Sequence, residues 1–189
     1  MKTNNIFTTK KIVMAALLAA LTTAGSAMRI PVPAGIAGMS YFHLGNILCA
    51  LSGILLGPWL GGLASGLGSA IYDLLNPAFA PECWITFVTK GIYGLVAGLV
   101  LSTGKKPWSY GKAVLATAAA ALTYAVIYLA KGCFYDSMLL GGLAFQVAFP
   151  AVALKLPATV FNAVIAVICA PPLAVTIRTA LKKSHLSLE

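Results

Sequence analysis

Five ionisable side chains inside or beside the apolar segments of this 189-residue chain are the first candidates for chemistry. They are Arg29, His43, Asp73, Lys90 and Lys131. A charge in an apolar surrounding is costly unless it is paired or hydrated, so each of these groups needs a partner. Asp73 ends one predicted helix and Lys90 lies near the beginning of the next, antiparallel one. Two roles therefore stay open for this pair, an ion pair or contacts with a ligand.

The motifs of nucleotide hydrolysis, metal catalysis and covalent catalysis are missing from the sequence. The stretch Ser102–Lys106 lacks the first glycine and the final Ser or Thr of a phosphate-binding loop. No His-Glu-x-x-His and no Gly-x-Ser-x-Gly segment occurs. The four cysteines are widely spaced and form no Cys-x-x-Cys pair: Cys49, Cys83, Cys133 and Cys169. We therefore expect no enzymatic activity, no cofactor and no metal site.

The composition indicates that the surrounding solvent is a lipid bilayer. Hydrophobic residues make up 60% of the chain and charged residues 9%, whereas soluble domains carry about 25% charged residues. The net charge is +9, but the basic residues separate apolar segments instead of clustering on one face, which argues against a nucleic-acid partner. We predict one all-α membrane domain over residues 1–189.

Apolar stretches and helix-breaking residues predict six membrane-spanning helices, because about 20 apolar residues cross a bilayer. Proline and glycine interrupt the chain at residues 30–35 and at 57–58. The segment Ser137–Leu154 is uncharged and stays ambiguous between a short helix, a re-entrant segment and a seventh span. The six predicted spans are Ile12–Met28, Tyr41–Leu56, Trp59–Leu75, Trp84–Ser102, Ala113–Ala130 and Pro157–Ile177.

The distribution of charge predicts how these six spans are oriented. With six spans, both termini and the polar loop Thr103–Lys112 share one side, and most of the 13 Lys and Arg residues lie there. The carboxylates of Asp73, Glu82 and Asp136 fall on the opposite side. Because basic residues favour the cytoplasm, both termini are predicted to be cytoplasmic. The basic residues on that side are Lys2, Lys10, Lys11, Lys105, Lys106, Lys112, Arg178, Lys182 and Lys183.

Aromatic and amide side chains gather at the outer ends of the predicted spans. An interfacial belt explains Tyr and Trp at a membrane border, but buried amides also need hydrogen-bond partners. We therefore predict a polar and aromatic pocket near the outer face that binds a small ring-containing molecule. The predicted substrate-binding residues are Tyr41, His43, Asn46, Trp84, Lys90, Tyr135, Gln146 and Asn162.

Small residues recur at the four-residue spacing that lets two helices approach closely. Glycines do so at Gly57–Gly61, Gly62–Gly66 and Gly94–Gly98, where internal helix packing is expected. Ala16 and Ala20 form a stripe on the first span that suits either internal packing or a second protein.

Several of these segments, in this order and spacing, resemble the substrate-binding S components of energy-coupling factor (ECF) vitamin transporters. Many members of that family carry Gly-Asp where this chain has Gly45-Asn46. The segments that carry the resemblance are Ala16–Ala20, Phe42–Asn46, Gly57–Leu75, Thr89–Gly98 and Leu156–Asn162.

The resemblance implies a binding subunit in the cell membrane that captures a water-soluble vitamin or related micronutrient for ATP-driven uptake. It also implies partners, namely a transmembrane coupling subunit and two cytoplasmic ABC ATPases. In the family an alanine stripe on the first helix docks on the coupling subunit, and Ala16 and Ala20 match it. The vitamin is left open, as is whether the coupling module is dedicated or shared.

A second hypothesis is a self-sufficient secondary transporter driven by a proton or sodium gradient. Such a protein needs an intramembrane carboxylate that titrates, and Asp73 is the candidate. Inverted repeats are common in secondary transporters, but we find no convincing internal repeat in this sequence.

Overall fold

The computed structural model describes residues 8–35, 38–103 and 108–184, and these form a bundle of helices capped at one end by a β-hairpin. A π-helical segment, Lys131–Leu140, continues the fifth helix. The hairpin consists of β1 (Arg29–Pro33) and β2 (Met39–His43). The helices are α1 (Thr9–Ala27), α2 (Gly45–Leu56), α3 (Pro58–Leu74), α4 (Cys83–Ser102), α5 (Tyr110–Ala130), α6 (Phe145–Ala153) and α7 (Leu156–Lys183).

In the described ranges, four helical stretches are long and apolar enough to cross a membrane: Thr9–Ala27, Ala80–Ser102, Tyr110–Leu140 and Leu156–Lys183. α2 and α3 are shorter, with 12 and 17 residues. Large apolar side chains cover the outside of the bundle, as shown by Leu122, which is 69% exposed. Such a surface suits lipid and not water. The chain is therefore a multi-pass helical membrane protein.

The hairpin corrects the predicted start of the second span. The sequence analysis began that span at Tyr41, but Tyr41 lies in β2 and α2 begins only at Gly45. The two strands pair antiparallel, with Arg29 opposite His43 and Pro31 opposite Tyr41. Proline cannot donate within a helix, whereas it is tolerated on a strand at the edge of a sheet. The apolar run before Gly45 is thus extended and not helical.

The ambiguous segment Ser137–Leu154 contains a short helix. Its first residues complete the π-helical segment, and Phe145–Ala153 forms α6, with Pro150 inside it. Nine residues rise only about 14 Å at 1.5 Å per residue, far less than the thickness of a bilayer. The segment is therefore not a seventh span.

The predicted close approaches of glycines are present between α2, α3 and α4. A Cβ placed on Gly61 would meet the backbone of Gly53, and one placed on Gly98 would meet the backbone of Pro58. A Cβ on Gly66 would meet the carbonyl oxygen of Phe87 at 2.7 Å. This confirms internal packing at Gly61, Gly66 and Gly98, whereas a Cβ on Gly57 would meet nothing within 4 Å. Behind them, α5 and α7 complete the core with buried alanines such as Ala120 and Ala166.

The end of the bundle opposite the hairpin carries much of the basic charge. Lys10 and Lys11 lie in the first turn of α1, Lys112 lies near the start of α5, and Lys182 lies in the last turn of α7. Three other members of the predicted cluster, Lys2, Lys105 and Lys106, lie outside the described residues.

The packing of α3 on α4 can be tested with a matched pair of glycine substitutions. A Cβ at Gly94 would lie 2.6 Å from the carbonyl oxygen of Gly61, whereas a Cβ at Gly111 meets nothing within 4 Å. We expect Gly94→Ala to destabilise the protein by about 1–3 kcal/mol through overpacking. Gly111→Ala should leave stability unchanged or raise it by up to about 1 kcal/mol through helix propensity. Thermal unfolding in detergent measures both, and equal midpoints for the two variants would contradict this packing.

Candidate functional site

A cavity of about 360 Å³ lies where the hairpin meets the ends of α2, α3, α4, α5 and α7. This volume is within the range of sites for small organic molecules. Its wall combines hydroxyls such as Ser69 and Thr159, aromatic rings such as Tyr124 and Phe79, and seven Arg, Lys, Asp and Glu side chains. A mixed polar and aromatic wall within an apolar bundle is suited to bind a molecule with both a ring and polar edges.

One buried amide on α7 holds the hairpin over this cavity. The Asn162 Nδ2 group donates to the carbonyl oxygen of Tyr41 at 2.7 Å. The backbone N–H of His43 donates to Asn162 Oδ1 at 3.1 Å. His43 in turn accepts from the backbone N–H of Gly45 through Nδ1 at 3.2 Å, which links the hairpin to the first residue of α2. Asn162 therefore fixes the wall that β2 contributes.

His43 is neutral in this setting at physiological pH. Its burial lowers the pKa of the imidazole well below the usual value, and the positive charges of Lys90 and Arg29 lower this pKa further. The neutral ring can accept the hydrogen bond from Gly45 through Nδ1, which a doubly protonated ring cannot.

Arg29, the first residue of β1, lies among three aromatic rings. Its guanidinium carbon is 4.0 Å from the ring centroid of Tyr72 and 4.8 Å from that of Tyr41. Its Nη2 atom also lies 3.8 Å from Asp73 Oδ1. The carboxylate at the end of α3 thus pairs with the hairpin. The ion pair considered between Asp73 and Lys90 is not formed, since Asp73 pairs with Arg29 and the Lys90 ammonium group contacts Asn46.

Lys90 is buried on α4, with 5% of the residue exposed. Its ammonium group donates to Asn46 Oδ1 on α2. The same nitrogen lies 3.9 Å from the ring centroid of Tyr124 on α5, a cation–π distance. Lys90 therefore joins three helices at the cavity wall through an amide oxygen and an aromatic face.

A second group of charges lies on the side of the cavity formed by the π-helical segment. Lys131 pairs with Glu82, and its Nζ atom is 2.8 Å from Asp136 Oδ1. Lys155, which precedes α7, is 3.5 Å from Asp136 Oδ2. These pairs tie the start of α4 to the segments on either side of α6.

The structure brings five of the eight predicted binding residues to the cavity wall. They are Tyr41, His43, Asn46, Lys90 and Asn162.

The other three do not line the cavity. Trp84 is 61% exposed at the start of α4, and Gln146 is exposed on α6. Tyr135 is half-buried on the π-helical segment, with its ring 5.6 Å from Lys131 Nζ. α4 and the π-helical segment line the cavity through other residues, so Trp84 and Tyr135 lie on faces turned away from it, whereas α6 contributes no residue to the wall.

Sequence reasoning also missed several wall residues. Tyr124 and Tyr128 lie one helical turn apart on α5, and both reach the cavity. Lys155 follows a long uncharged segment, and this isolation was a signal that could have marked it. For the tyrosines the sequence offered no comparable signal, because aromatic residues are common throughout apolar helices.

No group of three or more His, Cys, Asp and Glu side chains in the described ranges is arranged to hold a metal ion. All four cysteines lie in the described ranges, and each is a free thiol.

The alanine stripe of α1 lies on the outside of the bundle. Ala16 and Ala20 are exposed, while Leu18 and Thr22 are buried against the other helices. Thr23 marks the inner side of α1, since its hydroxyl donates to the carbonyl oxygen of Gly68 on α3 at 2.8 Å. Among the described residues, the stripe is thus not buried against another element of the bundle.

Comparison with known proteins identifies the family. The chain is 35% identical over 99 residues to a Pyrococcus woesei protein described as "Uncharacterized protein in gap 3'region", which aligns with 52% of this chain. The chain spans 61% of the length of that relative. The family model of the ECF-type riboflavin transporter S component matches residues 6–179, from before α1 to within α7. This match covers nearly the whole chain and confirms the resemblance, so the chain belongs to the ECF-type riboflavin transporter S component family.

Proposed function

We propose that this chain captures a water-soluble vitamin in its hairpin-covered cavity and delivers it to an ATP-driven importer. The observation that carries the proposal is the cavity itself, a polar and aromatic chamber inside an apolar bundle. Membership in the family supports a role as a membrane-embedded substrate-binding subunit. The name of that family makes riboflavin the first compound to test. The protein acts by binding and release, without chemical conversion of its cargo.

In the proposed topology the single domain crosses the membrane six times, with both termini in the cytoplasm. The charges at the two ends of the bundle support this orientation. One end carries basic residues that include Lys10, Lys11, Lys112, Lys182 and Lys183, whereas the four basic residues at the cavity end lie among three carboxylates. Because basic residues favour the cytoplasmic side, the cavity faces outward, where a vitamin is captured.

The proposed partners are a transmembrane coupling subunit and two ABC ATPases. The exposed stripe of Ala16 and Ala20 is the surface proposed to contact the coupling subunit, since small side chains let two helices pack closely. The energy for uptake then comes from the ATPases, in keeping with the lack of a phosphate-binding loop in this sequence.

Uptake of radiolabelled vitamins, riboflavin first, by cells that express the chain with a coupling subunit and two ATPases tests the proposal. Mass spectrometry of small molecules that co-purify with the protein identifies the cargo if it is a different vitamin. We expect uptake to be lost when ATP hydrolysis is inactivated by mutation and to persist with a protonophore. Uptake by the purified chain alone, driven by an ion gradient in liposomes, would instead indicate a secondary transporter.

Bulky substitutions on the alanine stripe should separate binding from transport. We expect Ala16→Trp and Ala20→Trp to bind the vitamin normally in detergent but to abolish uptake, because an indole ring holds the partner helix away. Leu122→Trp is the matched control, since Leu122 is an exposed apolar residue on α5. It should transport normally. Normal uptake by both alanine variants would place the docking surface elsewhere.

Two amide-to-alanine substitutions test where the cavity binds its cargo. Asn162→Ala removes both hydrogen bonds that hold β2, each worth roughly 1 kcal/mol, and leaves buried groups unpaired. We expect at least about tenfold weaker binding of the co-purified vitamin. Gln146→Ala removes an exposed amide outside the cavity, and its affinity should stay within about twofold of the wild-type value. Calorimetric titration measures both, and an unchanged affinity for Asn162→Ala would exclude this cavity as the site.

A further inference from the structure

The ionisable groups that line the cavity are not balanced. Four basic side chains face three carboxylates, and His43 is neutral. The cavity therefore carries a surplus of one positive charge. The basic residues are Arg29, Lys90, Lys131 and Lys155, and the carboxylates are Asp73, Glu82 and Asp136.

The ion pairs assign this surplus to one residue. Arg29 pairs with Asp73, while Lys131 and Lys155 share Glu82 and Asp136. Of the cavity-lining basic residues in the described part of the chain, Lys90 alone has no carboxylate within 4.0 Å. It is also among the most deeply buried of the four, at 5% exposed.

The contacts that Lys90 makes within the protein are neutral. The Asn46 oxygen stabilises the ammonium group through the amide dipole, and the face of Tyr124 does so through the ring quadrupole. Neither contact cancels the positive charge. A buried charge is tolerated when it is paired and costly when it is not. Lys90 and Asn46 both line the cavity, so a molecule bound there reaches both.

Asn46 provides a second feature that favours an acceptor group on the cargo. Its oxygen is taken by Lys90, which leaves the two N–H bonds of its amide directed elsewhere. No hydrogen bond in the described ranges uses these two donors, and Asn46 has 3% exposure. An ammonium group and an amide N–H beside it form a pair of donors that suits the two oxygens of a carboxylate.

We propose that the cargo carries one anionic group, a carboxylate, that binds Lys90 and the Asn46 amide and neutralises the surplus charge of the cavity. This inference rests on the proposed vitamin-binding function and narrows it to an acidic vitamin. The aromatic rings of the wall then contact the remainder of the molecule.

Matched pairs of acids and their neutral analogues test this inference on the full-length wild-type protein in detergent. Suitable pairs are pantothenate with panthenol, biotin with biotinamide, and nicotinate with nicotinamide, with riboflavin as a neutral ring compound. We expect one acid to bind, and its neutral analogue to bind at least tenfold more weakly. A co-purified molecule identified by mass spectrometry should likewise be an anion at pH 7.

Substitution of Lys90 tests whether this residue causes the preference for the acid over its neutral analogue. Lys90→Gln keeps a hydrogen-bond donor but removes the charge, and we expect it to lower the affinity for the acid at least tenfold. Lys182→Gln makes the same change on an exposed residue at the far end of α7, and its affinity should stay within twofold of wild type. Thermal unfolding of each variant shows whether it is folded. The comparison of acid and neutral analogue on the wild type does not depend on the variant.

The outcomes separate this inference from the proposed function. If riboflavin or another neutral compound binds best, or if folded Lys90→Gln keeps its affinity for the acid, the inference is overturned and the vitamin-binding function stands. If nothing co-purifies and no compound in the panel binds, the proposed function fails, and the inference fails with it.

Discussion

Charged side chains within an apolar bundle must find partners inside the protein, and this requirement shapes the cavity end of the molecule. Asp73 on α3 meets its partner only because the hairpin carries Arg29 across to it. Asp136 on the π-helical segment serves both Lys131 and Lys155. The pairs of Arg29 with Asp73, Lys131 with Glu82 and Lys155 with Asp136 connect different elements of the fold. The ion pairs that connect the walls of the cavity are consequently formed by side chains that also line it.

The glycine packing makes these connections geometrically feasible. Because Gly66, Gly94 and Gly98 have no side chains, α3 and α4 approach until backbone meets backbone. This close approach sets the relative position of the parts of α3 and α4 that line the cavity, where Asp73 and Lys90 lie. The rigid pair of helices then forms one wall, and the hairpin, held by the Asn162 amide, forms another.

The two proposed activities occupy different parts of the chain. The cavity depends on inward-facing residues of the hairpin, α2, α4, α5 and α7, whereas the stripe of Ala16 and Ala20 faces outward on α1. α1 contacts α3 through Thr23 and Gly68.

The sequence by itself determined the apolar class, the positions of most helices, the glycine contacts and the family. These features follow from local composition, because hydropathy, proline and the spacing of small residues affect structure within a few helical turns. Tertiary structure decided the rest. The antiparallel strands replaced the predicted start of a helix at Tyr41, and Asp73 paired with Arg29 instead of Lys90.

The residues of the binding site likewise fall into those that the sequence predicted and those that only the tertiary structure selected. Residue type alone placed Asn46, Lys90 and Asn162 among the candidates, since buried amides and charges need partners. It also nominated Trp84 and Gln146, which the rotation of their helices leaves exposed. That rotation depends on contacts between distant segments, such as the hydrogen bond from His43 to Asn162 across 119 positions of the sequence. Local patterns carry no information about such contacts, so only the folded chain could select among the candidates.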